Sequence, residues 1–190
     1  MLKNNPSLKG LLIAILATIA AFAIYFIFLA KPNYYLVDNP TPDTYYFSVN
    51  NGEQKILSSG QYLKVDLNKG KNSIKVFDQN KKILYDSAFN VKNQRGLINI
   101  AHKDYYVFKQ FYGYFRDKDS LIMAQGSINI DGKPFLGNIK KENKLYSEDF
   151  YFNIDEDYDK VIKNIDKVES RTKIFRKQDF INYYNENYKF

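Results

Sequence analysis

Cysteine is absent from this chain of 190 residues, and histidine occurs once, at His102. Without thiols there are no disulfides, thiolate metal sites or cysteine nucleophiles, and one imidazole supplies a zinc site poorly. Arginine is scarce, 4 against 24 lysines. No GxxxxGK or GxGxxG run is present to cradle a phosphate, and no serine has the glycines of a nucleophile elbow around it. Every Asn-x-Ser/Thr triplet carries proline in the middle, which excludes it as a glycan acceptor. The first 30 residues contain no acid.

What is present is a folding composition, 45% apolar and 26% charged, with room for one ordinary domain and a small appendage. The formal charge of +7 invites a polyanion partner. However, Lys, Asn, Ile and Tyr fill 80 of the 190 positions, a bias that A/T-rich codons produce without selection for phosphate. The basic surplus of the part after the apolar run lies between Lys31 and Phe115, with 12 basic and 7 acidic residues, whereas Arg116 onward carries 14 of each. A solvated surface accounts for it, and attraction to anionic lipid headgroups is the alternative.

From Gly10 to Ala30 the chain reads GLLIAILATIAAFAIYFIFLA, 21 residues without a charge. At ~1.5 Å per residue, such a helix covers the ~30 Å of a bilayer's hydrocarbon core while satisfying its own backbone hydrogen bonds. A cleaved secretory signal would have a shorter apolar run and small residues before the cut, but Phe28 stands in that position. The expectation is a retained anchor. Lys3, Lys9 and the α-amine before it, against Lys31 after it, leave residues 1–9 in the cytoplasm and send the remainder outward. Tyr25, Phe28 and Tyr34-Tyr35 fit an interfacial aromatic belt. The span lacks GxxxG; only the small residues Ala17, Thr18, Ala20, Ala21 and Ala23 would allow a second helix to approach.

Beyond Asn33 the pattern changes to short alternating runs separated by turn residues. Tyr45 to Val49, Lys55 to Leu57 after the Asn51-Gly52 turn, Tyr62 to Leu67, Ser73 to Phe77, Ile83 to Val91, Leu97 to Ala101 and Tyr105 to Phe111 give about seven strands. No helical period interrupts them, which points to an antiparallel β-sandwich over 33–112 rather than a parallel α/β sheet. Within this stretch the run from Tyr45 to Val91, and its step LNKGKNSIKV above all, resembles the small immunoglobulin-like or PEGA-like modules of bacterial envelope proteins. The resemblance implies a spacer, adhesive or scaffolding unit, with Gly70 as a turn residue and Ile74 and Val76 as an inward pair.

Residues 113–126 read as a connector, and 127–190 as an α+β extension. A hairpin around Asp131-Gly132 opens the extension. Asp155 is expected to begin a helix whose Tyr158, Val161, Ile162, Ile165 and Val168 share one face, and a last helix near Lys177 would present Phe180, Ile181, Tyr184 and Tyr188.

Four constellations invite a chemical reading. Asp155-x-Asp157-x-Asp159 imitates a calcium loop, but Lys160 and Asp166 stand where the loop needs Gly and Glu. His102 and Asp104 are too close along the chain to imply a relay. Glu142, Glu148 and the 155–159 acids would form a glycosidase pair only if they met in space. The run HKDYYVFKQFYGYF lacks the glycines that let bases reach an RNA-binding strand. Its Tyr105, Val107 and Phe111 fall on one face of a strand and Tyr106, Phe108 and Tyr112 on the other, so it should be covered twice, as a seam between the two outward parts.

The expectation is therefore a single-pass protein of a bacterial cytoplasmic membrane whose outward domain binds or scaffolds an envelope protein, with no catalytic residue, metal, nucleic acid or small-molecule cofactor. The alternatives are a membrane-tethered immunity or inhibitor protein against an exported toxin, and an envelope hydrolase.

Overall fold

A computed structural model of the chain describes residues 6–29, 32–112, 118–160 and 169–188. Two compact units are present, Met1–Asn33 and Tyr34–Phe190. The first is helix α1 (Pro6–Ile24), which continues as a π-helical turn over Tyr25–Leu29. Its span Pro6–Ile27 is long and apolar enough to cross a membrane, and none of it is buried by the rest of the protein. Thr18 donates its hydroxyl to Ala14 O at 2.8 Å, so the one polar side chain in the middle of the span is satisfied within the helix.

The second unit is mostly β. In chain order it contains β1 (Tyr34–Asp38), β2 (Tyr45–Val49), β3 (Lys55–Leu57), β4 (Tyr62–Val65), β5 (Gly70–Phe77), β6 (Ile83–Val91), β7 (Arg95–Asn99) and β8 (Tyr105–Tyr112). Helix α2 (Lys118–Met123), β9 (Ser127–Ile130), β10 (Lys133–Leu136), β11 (Ile139–Glu142), β12 (Tyr146–Ser147), β13 (Glu169–Arg176) and helix α3 (Lys177–Asn187) follow. They form two four-stranded sheets, in the orders β12-β7-β1-β4 and β3-β2-β5-β6, a three-stranded sheet β11-β8-β13 and the hairpin β9-β10.

Burial stacks these elements in layers. Tyr35, Val37, Val65 and Ile98 of the first sheet share a core with Phe47, Leu57, Ile74 and Val76 of the second. On the other face of the first sheet, Leu36 and Leu97 meet Tyr105, Val107 and Ile174 of the third. The far face of the third sheet carries Tyr106, Phe108 and Phe175 against Phe180, Tyr184 and Tyr188. Strands β1 and β7 are thus covered on both sides, and each is buried at four successive residues after its first. They pair in parallel, Tyr35 opposite Gly96 and Val37 opposite Ile98, an arrangement the antiparallel expectation did not include.

Turn chemistry fixes the hairpins. The β2–β3 turn sits one residue earlier than the Asn51-Gly52 expectation: Asn50 and Asn51 both have positive φ, 51° and 58°, and Gly52 N bonds Val49 O at 2.8 Å. Asparagine tolerates the left-handed region, and Asn50 gains further support because its side chain bonds Asn72 at 2.8 Å. The β9–β10 turn is the expected Asp131-Gly132 pair, at φ 52° and 81°. The helix expected from Asp155 is not found over the described residues 156–160, which have no regular structure; its remainder, 161–168, lies outside the described residues.

Candidate functional site

A cleft of about 800 Å³ opens where the first and third sheets end beside the start of α3. Asp38 closes strand β1 and Arg176 closes β13, 138 residues apart, and the layering of the two sheets brings them together. Asp38 is completely buried. It accepts Arg176 Nε at 2.9 Å, a second guanidinium nitrogen, and the hydroxyl of Tyr105. Arg176 also donates to Gly60 O at 2.9 Å. A buried carboxylate with three charged or hydroxyl donors is compensated as burial requires.

The electrostatics follow from this packing. The hydrogen bond to Asp38 raises the Arg176 guanidinium above its already high value. Burial, with the Asp38 charge second, raises the Tyr105 phenol well beyond the ordinary range, so it remains a donor. At the rim, Lys177 bonds Asp131 at 2.6 Å and Lys141 bonds Asp104 at 2.7 Å, and both ammonium groups are raised by those bonds. Helix α3 begins with Arg176-Lys177, cations at the end where the dipole favours anions. Asp38, Asp131 and Asp179 in the first turn offset that conflict.

A second buried cation lies behind the cleft. Lys173 on β13 stands 3.7 Å from Asp157 and 4.8 Å above the Phe175 ring, and burial lowers its pKa. Glu142 is buried between Lys140 and Lys144.

The sequence candidates separate in space. His102 is exposed, at φ 49°, with its ring 5.0 Å from Tyr85, while Asp104 takes Lys141 instead. Asp155 accepts the Tyr34 hydroxyl, Asp157 faces Lys173, and Asp159 pairs with Arg171 at 3.0 Å. Each acid is drawn to a different partner, and among the described residues no group of three His, Cys, Asp or Glu side chains is placed to hold a metal. Glu148 caps the backbone N–H groups of Lys92 and Asn93 at 2.9 and 3.0 Å, whereas Glu142 serves its lysines. Of the aromatic strand, Tyr105 and Val107 face the first sheet while Tyr106 and Phe108 face α3. The side chains of Phe111 and Tyr112 lie outside the described residues. Gly10 falls within α1, and Ala30 lies outside the described residues.

The Asp38–Arg176–Tyr105 group had only faint sequence signals: a charge ending the apolar run YYLVD, and one of the 4 arginines among 24 lysines. Comparison of the chain with family models, with curated proteins and with solved structures gives no match.

Proposed function

We propose that this is a membrane-anchored binding or scaffold protein of a bacterial cell envelope, with Pro6–Ile27 as its single span and the β unit facing outward. The two four-stranded sheets that share the Phe47–Ile98 core are its sandwich. The observation that carries the reading is the arrangement of the chain: an apolar span, then a compact β unit beginning at Tyr34. Lys3 and Lys9 before the span support a cytoplasmic amino terminus. The cleft supports a non-catalytic role, since Asp38, Arg176, Tyr105, Lys177 and Asp131 hold one another and so fix the ends of strands and a helix. The partner is an envelope protein.

Two reporters fused after Phe190, one that matures only outside the cytoplasm and one only inside, test the topology. Activity of the outer reporter alone is expected, and activity of the inner one alone overturns the proposal. Pull-down of the full chain from envelope extracts should recover a protein partner in near-equal amount. If the purified chain instead cleaves envelope polymer, the hydrolase alternative replaces it.

A further inference from the structure

The strand edges of the β unit are unequal. Strand β3 is three residues long, β12 two, and β4 and β11 four each, with Lys64, Lys140 and Lys141 among them. Strand β13 is long, but residues 151–152 cover it: Tyr151 N and Phe152 N bond Thr172 O at 3.0 and 2.9 Å, and Ile174 N bonds Phe152 O at 3.1 Å. Short length, lysines and coverage are the usual protections of an edge. Strand β6 has none of these three; its pairing with β5 is regular from Tyr85 to Val91, with one bulge at Leu84 near its start. It is nine residues long, ILYDSAFNV, with one charge, and among the described residues only β5 pairs with it. Ile83 and Leu84 at its start are 59% and 49% exposed.

We propose that β6 pairs antiparallel with β6 of a second copy of this chain, joining the two β3-β2-β5-β6 sheets into one. The strand is complementary to itself. With Ser87 at the two-fold axis the regular stretch Tyr85–Phe89 overlaps itself, Tyr85 stands opposite Phe89 of the second copy, and Asp86 stands opposite Ala88 of the second copy. Aromatic pairs across strands are stabilising, and no like charges face each other. Moving the centre to Asp86 would set two carboxylates face to face, and moving it to Ala88 would part the aromatic pair, leaving Tyr85 opposite Val91 and Phe89 opposite Ser87. Asp86 is already paired with Lys75 at 3.6 Å, which reduces its repulsion for its symmetry mate. The pairing holds whatever compartment and function the unit has.

The chain has no cysteine, so Ser87→Cys introduces one thiol per copy at the axis. Directly opposed residues of an antiparallel pair have Cα atoms about 4.5–5.5 Å apart, within the span of a disulfide. Full-length chain in lipid vesicles is oxidised with copper phenanthroline and run on a non-reducing gel, with Asn51→Cys in the β2–β3 turn as the collision control. Ser87→Cys is expected to give a covalent dimer and the control a background amount. Adding Ala88→Asp, which faces Asp86 of the second copy, should lower the dimer to background, whereas adding Ala88→Lys should preserve or raise it. Circular dichroism checks that both variants fold. Equal cross-linking of the Ser87 and Asn51 variants, equal effects of the two Ala88 changes, or a product of any mass other than twice the chain overturns the pairing.

Discussion

Asp38 shows most directly how single residues hold this molecule. Its carboxylate is fully buried, and among the described residues Arg176 and Tyr105 compensate it. Asp38→Asn leaves the guanidinium without its counter-charge, and breaking a buried pair in this way costs about 3–5 kcal/mol. A lower urea midpoint of the full chain in micelles is the expected result, and Asp38→Asn combined with Arg176→Met should recover much of the loss. If the single and double variants unfold together, the pair is not what ties β1 to β13. Buried asparagines do comparable work on neutral ground. Asn39 donates to Asp43 O and Ser58 O and accepts from Thr41, and Asn99 closes a loop with both N–H and C=O of Lys103. The abundance of asparagine was legible as composition, but its role as loop closure was not, because apart from Thr41 the partners named lie 4 or 19 residues away.

At the scale of elements, β12 and α3 show how close approach is achieved. Gly96 on β7 lies beneath the ring of Tyr146, and a Cβ there would overlap the ring and its hydroxyl. Gly96→Ala should therefore cost about 1–3 kcal/mol of overpacking. In a Tyr146→Ala background that cost should vanish, as a double-mutant cycle by denaturation would read. Helix α3 docks through Phe180, which is completely buried and packs on Tyr106, Phe108, Phe135 and Phe175. The Tyr184 hydroxyl donates to Leu136 O at 3.0 Å and accepts Leu136 N at 2.8 Å, pinning the β9–β10 hairpin to the helix. Phe180→Ala is expected to cost about 3–5 kcal/mol and to release both the helix and the hairpin. Loss of amide-exchange protection over 127–136 as well as 177–187 would register it.

The start of α3 at Lys177 and the Asp131-Gly132 turn were readable locally, since a helical stripe and a turn pair are contained in a few residues. The β2–β3 turn was displaced by one because Asn50 and Asn51 are as acceptable with positive φ as the Asn-Gly pair beside them. The acids of 155–159 suggested a helix start, yet Asp155, Asp157 and Asp159 are drawn to three separate partners, and Tyr158 turns into the aromatic layer to donate to Phe108 O at 3.0 Å. The β1–β7 parallel pairing, like the meeting of Asp38 with Arg176, depends on elements far apart in the chain, and no local period encodes it.

For the whole molecule, tyrosine dominates the response to alkali. Burial raises the phenols of Tyr34, Tyr85, Tyr105 and Tyr146 above the ordinary range, and that of Tyr188 is pushed up to about 12. The folded chain keeps these protons after the unfolded chain has released its own near pH ~10. Their contribution to stability is therefore complete below that pH and declines as pH rises through and beyond it. Lys173 acts in the opposite sense, because burial lowers its pKa and its cost fades as it discharges. The raised groups, Tyr35, Tyr106 and Tyr184 among them, outnumber it, and the net effect is a loss. The denaturation midpoint should fall between about pH 9 and 11, with phenolate absorbance rising together with loss of the circular dichroism signal. Phenolate appearing fully in the folded chain would contradict it.

Strand β1 follows α1 in the chain and is held between β4 and β7. Tension applied to the chain at Asn33 would be directed along β1, whose residues are paired on one side with Tyr62–Val65 and on the other with Arg95–Asn99. Both ladders would have to slide at once instead of opening pair by pair like a zipper. The first strand after the apolar span thus has both edges paired, and a pull along its length loads two ladders in shear.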